Sequence, residues 1–291
     1  MVAHELLHLS MRIESIDDPA DPRVADYRDI KDAELRLRHG LFVAESRAVV
    51  RGLLASARFR TRSILLTGAA LDSLRESLQA VDAPIYLTSH EVARAVVGFD
   101  FHRGCVALGE RGVEPSLEAL MDRPGPRLIL ALEDVSNPDN VGGVFRNARA
   151  FGADAILLSA GCADPLYRKA IRTSMGASLV TPFAHLPDWA DALARLRKAG
   201  YTLVALTPDP FALDIARLGA GEPIPSRVAL LLGAEGPGLR TETRAAADLR
   251  MQIAMAPGVD SLNVATAAAI ALHRLRSAAH PLGEKGFEGV I

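Results

Sequence analysis

Val228-Ala229-Leu230-Leu231-Leu232 runs directly into Gly233-Ala234-Glu235-Gly236-Pro237-Gly238-Leu239, and this stretch decides the fold. A short apolar run closed by a glycine turn reads as a buried strand. Met251-Gln252-Ile253-Ala254-Met255 is a second strand candidate. It leads through Ala256-Pro257-Gly258-Val259-Asp260-Ser261-Leu262-Asn263 into an alanine-rich helix from Val264 to about Arg276. Two glycine-bearing loops at strand ends, each feeding a helix, predict a ligand crevice at the carboxyl edge of an α/β sheet.

Upstream, strand and helix patterns alternate. Leu128–Leu132, Ala155–Leu158 and Thr202–Leu206 read as strands, and Leu179–Phe183 as extended. Val141–Ala150, Asp164–Arg172 and Asp188–Ala199 read as helices, while Pro208 to Arg227 is too rich in proline and glycine to assign. Pro115, Pro124 and Pro126, around a possible short helix Leu117–Met121, mark a linker over 113–126. Before it, a second alternating series spans about a hundred residues and predicts a smaller α/β domain over 1–112. Its elements are a helix from Asp21 to about Leu37 and strands at Leu41–Ala44, Ser63–Thr67, Ile85–Leu87 and Cys105–Leu108. Helices follow Glu45, Gly68 and Ser89.

The 291 residues suffice for two domains, and a composition 49% hydrophobic and 23% charged is that of a folded globular chain. No apolar run approaches the ~20 residues of a spanning helix. Met1 to Arg12 lacks a basic start followed by an apolar block, so neither membrane nor secretion is expected. Cys105 and Cys162 have no partner spacing for a metal or a disulfide framework, and a reducing, cytoplasmic setting follows. The net charge of −2 is unevenly spread: seven arginines stand against one acid between Arg36 and Arg62. That stretch is either a face for a polyanion or a solvated arginine-rich surface.

The common α/β chemistries are excluded by their missing signatures. No G-x-G-x-x-G follows a strand, no G-x-x-x-x-G-K-[ST] occurs, and G-x-S-x-G and H-E-x-x-H are absent. What remains is polar residues in three loops. The first, Glu133-Asp134-Val135-Ser136-Asn137-Pro138-Asp139-Asn140, opens a helix with Gly142 and Gly143 in its first turn and Arg146 four residues beyond Gly142. Each glycine there costs about 1 kcal/mol relative to alanine, which is understandable if something approaches the backbone closely. Otherwise Asn140 is an N-cap, Gly152 a C-cap and Arg146 a surface charge. Glu235, in the second loop, either binds a ligand or bonds nearby backbone N–H groups. Ser261 and Asn263 precede the last helix, and capping explains one of them better than both. His273, Arg274 and Arg276, in its last turns, read as structural.

The three loops resemble the three motifs of the SpoU (TrmH-type) RNA 2′-O-ribose methyltransferases of the SPOUT superfamily. Asn140, Gly142, Arg146, Ala148, Phe151 and Gly152 fit the first motif, N-x-G-x-x-x-R-x-A-x-x-F-G. Gly233, Glu235, Gly236, Gly238 and Leu239 fit the second, and Ser261 to Val264, after Pro257-Gly258, fit the third. Ser174, Gly176, Ala177 and Pro182 are similar to the segment between motifs one and two. The amino-terminal stretch resembles, less closely, the ribosomal-protein-like substrate-binding domain many of these enzymes carry, through Phe42-Val43-Ala44-Glu45 and His102 to Leu108. Ser46 stands where glycine is common and Arg103 where glutamine is common.

The resemblance implies a SPOUT-type α/β domain over 127–291 with a deep trefoil knot. It also implies S-adenosylmethionine held by Gly233, Ile253 and Leu262, and a ribose 2′-hydroxyl of rRNA or tRNA as methyl acceptor. Arg146 would remove the proton or, since a guanidinium holds its own proton to pKa above ~12, fix a phosphate and stabilise the developing alkoxide. Asn140, Glu235, Ser261 and Asn263 would shape the pocket. Arg47, Arg51, Arg58, Arg60 and Arg62 would bind RNA. A homodimer pairing the carboxy-terminal domains is expected, with no metal. The alanines Ala265, Ala267, Ala268, Ala269 and Ala271 permit close helix approach, within the chain or across a dimer. The competing readings are a non-catalytic RNA-binding protein with the same fold and a generic nucleotide-binding enzyme.

Overall fold

Near-continuous apolar runs such as Val228–Leu232 suit a parallel sheet buried on both faces, and the chain builds one. The computed structural model describes residues 11–28, 35–98, 101–122, 127–220 and 223–279. Contacts divide it into two units. One comprises 1–113 with 166–180, the other 114–165 with 181–291. The segment 166–180, which a contiguous division places in the carboxy-terminal domain, thus packs with the amino-terminal unit. Ile30, Pro124 and Pro126 lie outside the described residues.

The first unit contains β1 (Ile13–Ile16), β2 (Leu41–Glu45), α1 (Arg47–Leu54), β3 (Arg60–Leu66), α2 (Gly68–Leu78), β4 (Ile85–Thr88), α3 (His90–Val97) and β5 (Cys105–Glu110). Its sheet has the order β1-β4-β3-β5-β2, with β4 parallel to β1 and β3, and β5 antiparallel to β3 and β2. Tyr27, Val43, Leu65 and Val106 belong to its core. The predicted helix from Asp21 is a 3-10 helix only over Pro22–Tyr27, with a π-helical turn at Leu35–His39. Ser89 caps α3 through its Oγ, and Gly98 ends it in a left-handed conformation, as expected.

In the second unit follow α4 (Leu117–Met121), β6 (Arg127–Leu132), α5 (Pro138–Ala150), β7 (Ala155–Ser159), β8 (Phe183–Leu186), α6 (Trp189–Lys198), β9 (Thr202–Leu206), β10 (Leu213–Asp214), β11 (Arg227–Leu232), α7 (Thr241–Ala246), β12 (Leu249–Gln252) and α8 (Val264–Ala279). Seven strands pair in the order β10-β12-β9-β11-β6-β7-β8, every pairing parallel. Ile129, Leu157, Leu203 and Leu231 join Leu193 and Trp189 in one core cluster.

Three sequence expectations are corrected. The strand expected at Met251–Met255 ends at Gln252, because Ile253–Met255 leave the sheet edge toward a cleft. Of the extended chain expected over Leu179–Phe183, Leu179 instead closes a 3-10 turn, Ala177–Leu179, entered through Gly176 at φ +80, and the strand begins only at Phe183. The helix expected from Asp164 begins at Arg168.

Candidate active site

The register of the two central strands sets the site. Leu232 of β11 lies level with Leu132 of β6, so the loops that follow leave the carboxyl edge side by side. The first loop begins with Glu133, which is fully buried. Its carboxylate accepts the backbone N–H of Arg240 at 2.7 Å and the Thr243 hydroxyl at 2.5 Å. Asp134, at φ +56, accepts from the Arg240 guanidinium and the Ser159 hydroxyl. These adjacent acids tie the first loop to the exit of the second. Burial without such partners would be costly for a carboxylate. Asn137 is the N-cap of α5, its side chain accepting from Asp139 N–H, with Pro138 opening the helix. The capping reading of Asn140 is therefore corrected: Asn140 sits inside the first turn and is only 6% exposed.

In the second loop an antiparallel bridge joins Ala234 to Gly238. The chain doubles back so tightly that a Cβ on Gly233 would lie 2.2 Å from the Gly238 carbonyl carbon and from the Leu239 nitrogen. Gly236 and Gly238 take φ of +83 and +69, the region glycine enters without steric cost. This geometry displays Glu235, which is exposed, to the third loop.

Asn263 joins all three loops. Its Oδ1 accepts from the backbone N–H groups of Ala265 at 3.0 Å and Thr266 at 3.3 Å, the capping role. Its Nδ2 donates to Asn140 Oδ1 and to Glu235 Oε1, both at 2.8 Å. Acceptance by two N–H groups leaves the amide nitrogen to face Asn140 and Glu235. Capping and bridging are thus both done by Asn263. Ser261 is exposed and makes no side-chain hydrogen bond among the described residues.

A cleft of about 330 Å³ opens beside this network. Gly233, Glu235, Ile253, Leu262, Ser261 and Asn263 all line it, together with Leu206, Thr207, Pro208 and Met255. Asn140 touches it only through Asn263, and Arg146 does not line it. Arg146 is exposed on α5, with no hydrogen bond or ion pair among the described residues. Sequence reasoning missed the walls at Leu206–Pro208, whose proline-rich surroundings carry no periodic signal. The ties of Glu133 and Asp134 to Arg240 and Thr243 likewise have no signal in residue spacing.

Gly143 of α5 answers to a helix rather than a ligand. A Cβ on Gly143 would lie 2.7 Å from that of Ala265, and Asn147 Nδ2 donates to the Ala265 carbonyl at 2.7 Å. Arg276 reaches back to the Phe151 carbonyl at 3.0 Å, filling the space above Gly152, while His273 meets the Phe151 ring edge-on. Arg274 donates to the Ala216 carbonyl. The structural reading of those three side chains fits these contacts, and Ala265, Ala268 and Ala271 face inward within the chain.

A model of the SpoU rRNA Methylase family matches residues 127–273, from the start of β6 into α8. The chain belongs to that family. An uncharacterised tRNA/rRNA methyltransferase of Mycobacterium bovis is 39% identical over 275 residues, spanning 93% of this chain and 94% of the relative. A 23S rRNA (guanosine-2′-O-)-methyltransferase of Ralstonia nicotianae is 31% identical over 199 residues, 68% of this chain and 78% of the relative. Among solved structures, an AdoMet-bound rRNA methyltransferase from Sinorhizobium meliloti superposes with a TM-score of 0.78 at 25% identity. It covers 94% of this chain and all of its own. Within this SpoU chain the second and third motif loops line the cleft, and the first joins them through Asn140.

The arginines of the first unit differ in availability. Arg47 and Arg62 are exposed with no side-chain partner among the described residues, and Arg62 is the extra residue of a bulge in β3. Arg51 donates to the Ser73 carbonyl and hydroxyl, and Arg60 lies 3.9 Å from Glu110. Arg58 is half-buried, its guanidinium 4.8 Å above the Phe59 ring. Burial pushes the Cys105 thiol up to about 11 and also raises that of Cys162, and neither lines the cleft. Among the described residues no helix is long and apolar enough to cross a membrane, and no group of three His, Cys, Asp or Glu could hold a metal.

Proposed function

We infer that this chain is an S-adenosylmethionine-dependent RNA methyltransferase that modifies a ribose 2′-hydroxyl in ribosomal or transfer RNA. The observation that carries the reading is the single amide of Asn263, which draws Asn140 and Glu235 together at the lip of the cleft. The family membership and the 2′-O-methyltransferase among its relatives support the same reaction.

The cleft fits the cofactor. Ile253, Leu262 and Met255 offer apolar walls for an adenine ring, and the doubled-back loop at Gly233 presents backbone rather than side chains. When bound, S-adenosylmethionine supplies an electrophilic methyl group on a sulfonium. The residues of the chain orient the acceptor. Glu235 keeps Oε2 free of hydrogen bonds among the described residues, and the exposed Ser261 hydroxyl stands in the same wall. Both suit a ribose hydroxyl that must be held and relieved of its proton. Arg146 is the cation available to fix a phosphate or stabilise the alkoxide. Its absence from the cleft wall within one chain favours the homodimer through the carboxy-terminal domain. Arg47, Arg51, Arg60 and Arg62 form the RNA-binding face, with Arg58 contributing least. The trefoil knot, the ribosomal-protein-like character of the first unit and a cytoplasmic location belong to the same reading.

The test is transfer of labelled methyl from S-adenosylmethionine to RNA, followed by mapping of 2′-O-methyl positions. Arg146→Ala is expected to reduce turnover by about a hundredfold or more while cofactor affinity stays nearly unchanged. Near-wild-type turnover would remove Arg146 from the chemistry. RNA binding without any transfer would favour a non-catalytic RNA-binding protein, and affinity for a dinucleotide in place of S-adenosylmethionine a generic nucleotide enzyme.

A further inference from the structure

Phe211 is the most exposed large apolar side chain of the second unit among the described residues. It is 94% exposed. It stands three residues beyond Pro208, a wall of the cleft, on the loop that carries the chain from β9 to β10. The loop is a built turn. Asp209 N–H donates to Thr207 Oγ1 at 3.3 Å, and Asp209 Oδ1 accepts from Phe211 N–H at 3.0 Å. Ala212 N–H donates to the Asp209 carbonyl at 2.9 Å, and Gln252 Nε2 anchors the Ala212 carbonyl at 2.7 Å. Ala212, the next residue, is buried. The backbone on both sides of Phe211 is therefore held while its ring is left in solvent. The loop between two other cleft-lining residues, Met255 and Ser261, shows Val259, 49% exposed. Further along the Phe211 segment, Arg217 is exposed with no side-chain partner among the described residues.

We propose that Phe211 is a stacking platform for an unpaired base of the RNA substrate, holding the strand at the cleft entrance. The proposal rests on the RNA-methyltransferase reading and adds to it a positioning residue outside the motifs. A ring presented by an anchored turn offers a π-face to any base, and sequence-specific RNA recognition commonly splays unpaired bases onto aromatic side chains. A free guanidinium on the same segment suits the backbone phosphate of a stacked nucleotide. The other candidate occupant is a second copy of this chain, which would cover Phe211 as an apolar contact.

These occupants predict different things of Phe211→Ala, Phe211→Leu and Phe211→Trp. With a short single-stranded oligo(rA) as probe, Phe211→Ala and Phe211→Leu are each expected to lose roughly tenfold to a hundredfold in affinity. Phe211→Trp should retain it, with S-adenosylmethionine affinity unchanged throughout. The indole introduced by Phe211→Trp should be quenched by oligo(rA) and not by an abasic strand of equal charge. Retention of affinity in Phe211→Leu, equal quenching by the abasic strand, or a loss that tracks dissociation of a dimer in sedimentation would overturn the proposal. The parent reading fails separately, if the wild-type chain transfers no methyl to RNA while the aromatic dependence of binding remains.

Discussion

The glycine-bearing starts of the first and second motifs look alike in sequence and are crowded by different things. At Gly143 the neighbour is the side chain of Ala265 on another helix, 2.7 Å from where a Cβ would stand. At Gly233 the neighbour is the loop's own backbone, 2.2 Å away. The first is a packing constraint between α5 and α8, and the second is a folding constraint within one turn. Neither glycine is explained by direct ligand approach, yet only the second shapes a wall of the cleft. A helix can slide by tenths of an ångström, whereas a doubled-back loop has nowhere to go.

Gly233→Ala should therefore have the largest effect. Relief requires Gly238 and Leu239 to move, which breaks the Ala234–Gly238 bridge and displaces Glu235. Cofactor affinity should fall at least tenfold, with a stability loss at the upper end of the ~1–3 kcal/mol that overpacking costs. Calorimetric titration with S-adenosylmethionine and a thermal melt measure the two separately. Wild-type affinity would show that the second loop tolerates opening, and the contrast with Gly143 would collapse.

Asn263→Asp probes the point where the two loops meet. A carboxylate keeps the cap to Ala265 and Thr266 N–H but has no proton to give Asn140 or Glu235. Asn140 can turn its own amide to meet the new acid; Glu235 can only be repelled. Hydrogen bonds to charged groups are worth about 1.5–3 kcal/mol, so turnover should fall roughly tenfold to a hundredfold. The melting temperature should stay close to wild type, because the cap survives. A large stability loss with intact turnover would mean that Asn263 is a structural bridge alone.

The three loops could be read from sequence because each needs an unusual residue at a fixed offset: Asn140 after a capped proline, Glu235 between glycines, Asn263 ahead of an apolar helix. The strands around them were legible from their unbroken apolar runs, and Thr202–Leu206 was placed to the residue. What escaped is what sequence spacing cannot express. Glu133 reads as one acid among several until β6 and β11 set it beneath Arg240 and Thr243. Leu206 to Pro208 become cleft walls only through strand order. The short α7 and the edge strand β1 carry too few periods to stand out, and 166–180 joins the first unit through contacts that no local pattern encodes.

Gly143→Ala should cost less than either change above. Alanine gains about 1 kcal/mol of helix propensity over glycine, which offsets part of the ~1–3 kcal/mol of overpacking against Ala265. A net loss near 1 kcal/mol is expected, with little change in cofactor affinity. Ala265→Gly in the same chain should restore the spacing, and a coupling energy of about 1 kcal/mol in the double-mutant cycle would locate the strain between these two side chains. Additive effects would place it elsewhere.

The smallest effect is expected where backbone conformation alone is at stake. Ser46 adopts φ +91 and ψ 149, a region that a side chain enters only under strain. What the serine adds is a long cap, its Oγ accepting from Val49 N–H at 3.4 Å. Strain of ~1–3 kcal/mol in such a region exceeds the few tenths by which glycine is the poorer cap, even after glycine's larger loss of chain entropy. Ser46→Gly should therefore stabilise the first unit by somewhat less than about 1 kcal/mol. Ser46→Ala keeps the strain and removes the cap, so it should destabilise. Opposite signs in the two melts would show that φ governs this position; two losses would show that the weak cap, and through it the start of α1, is what the serine protects.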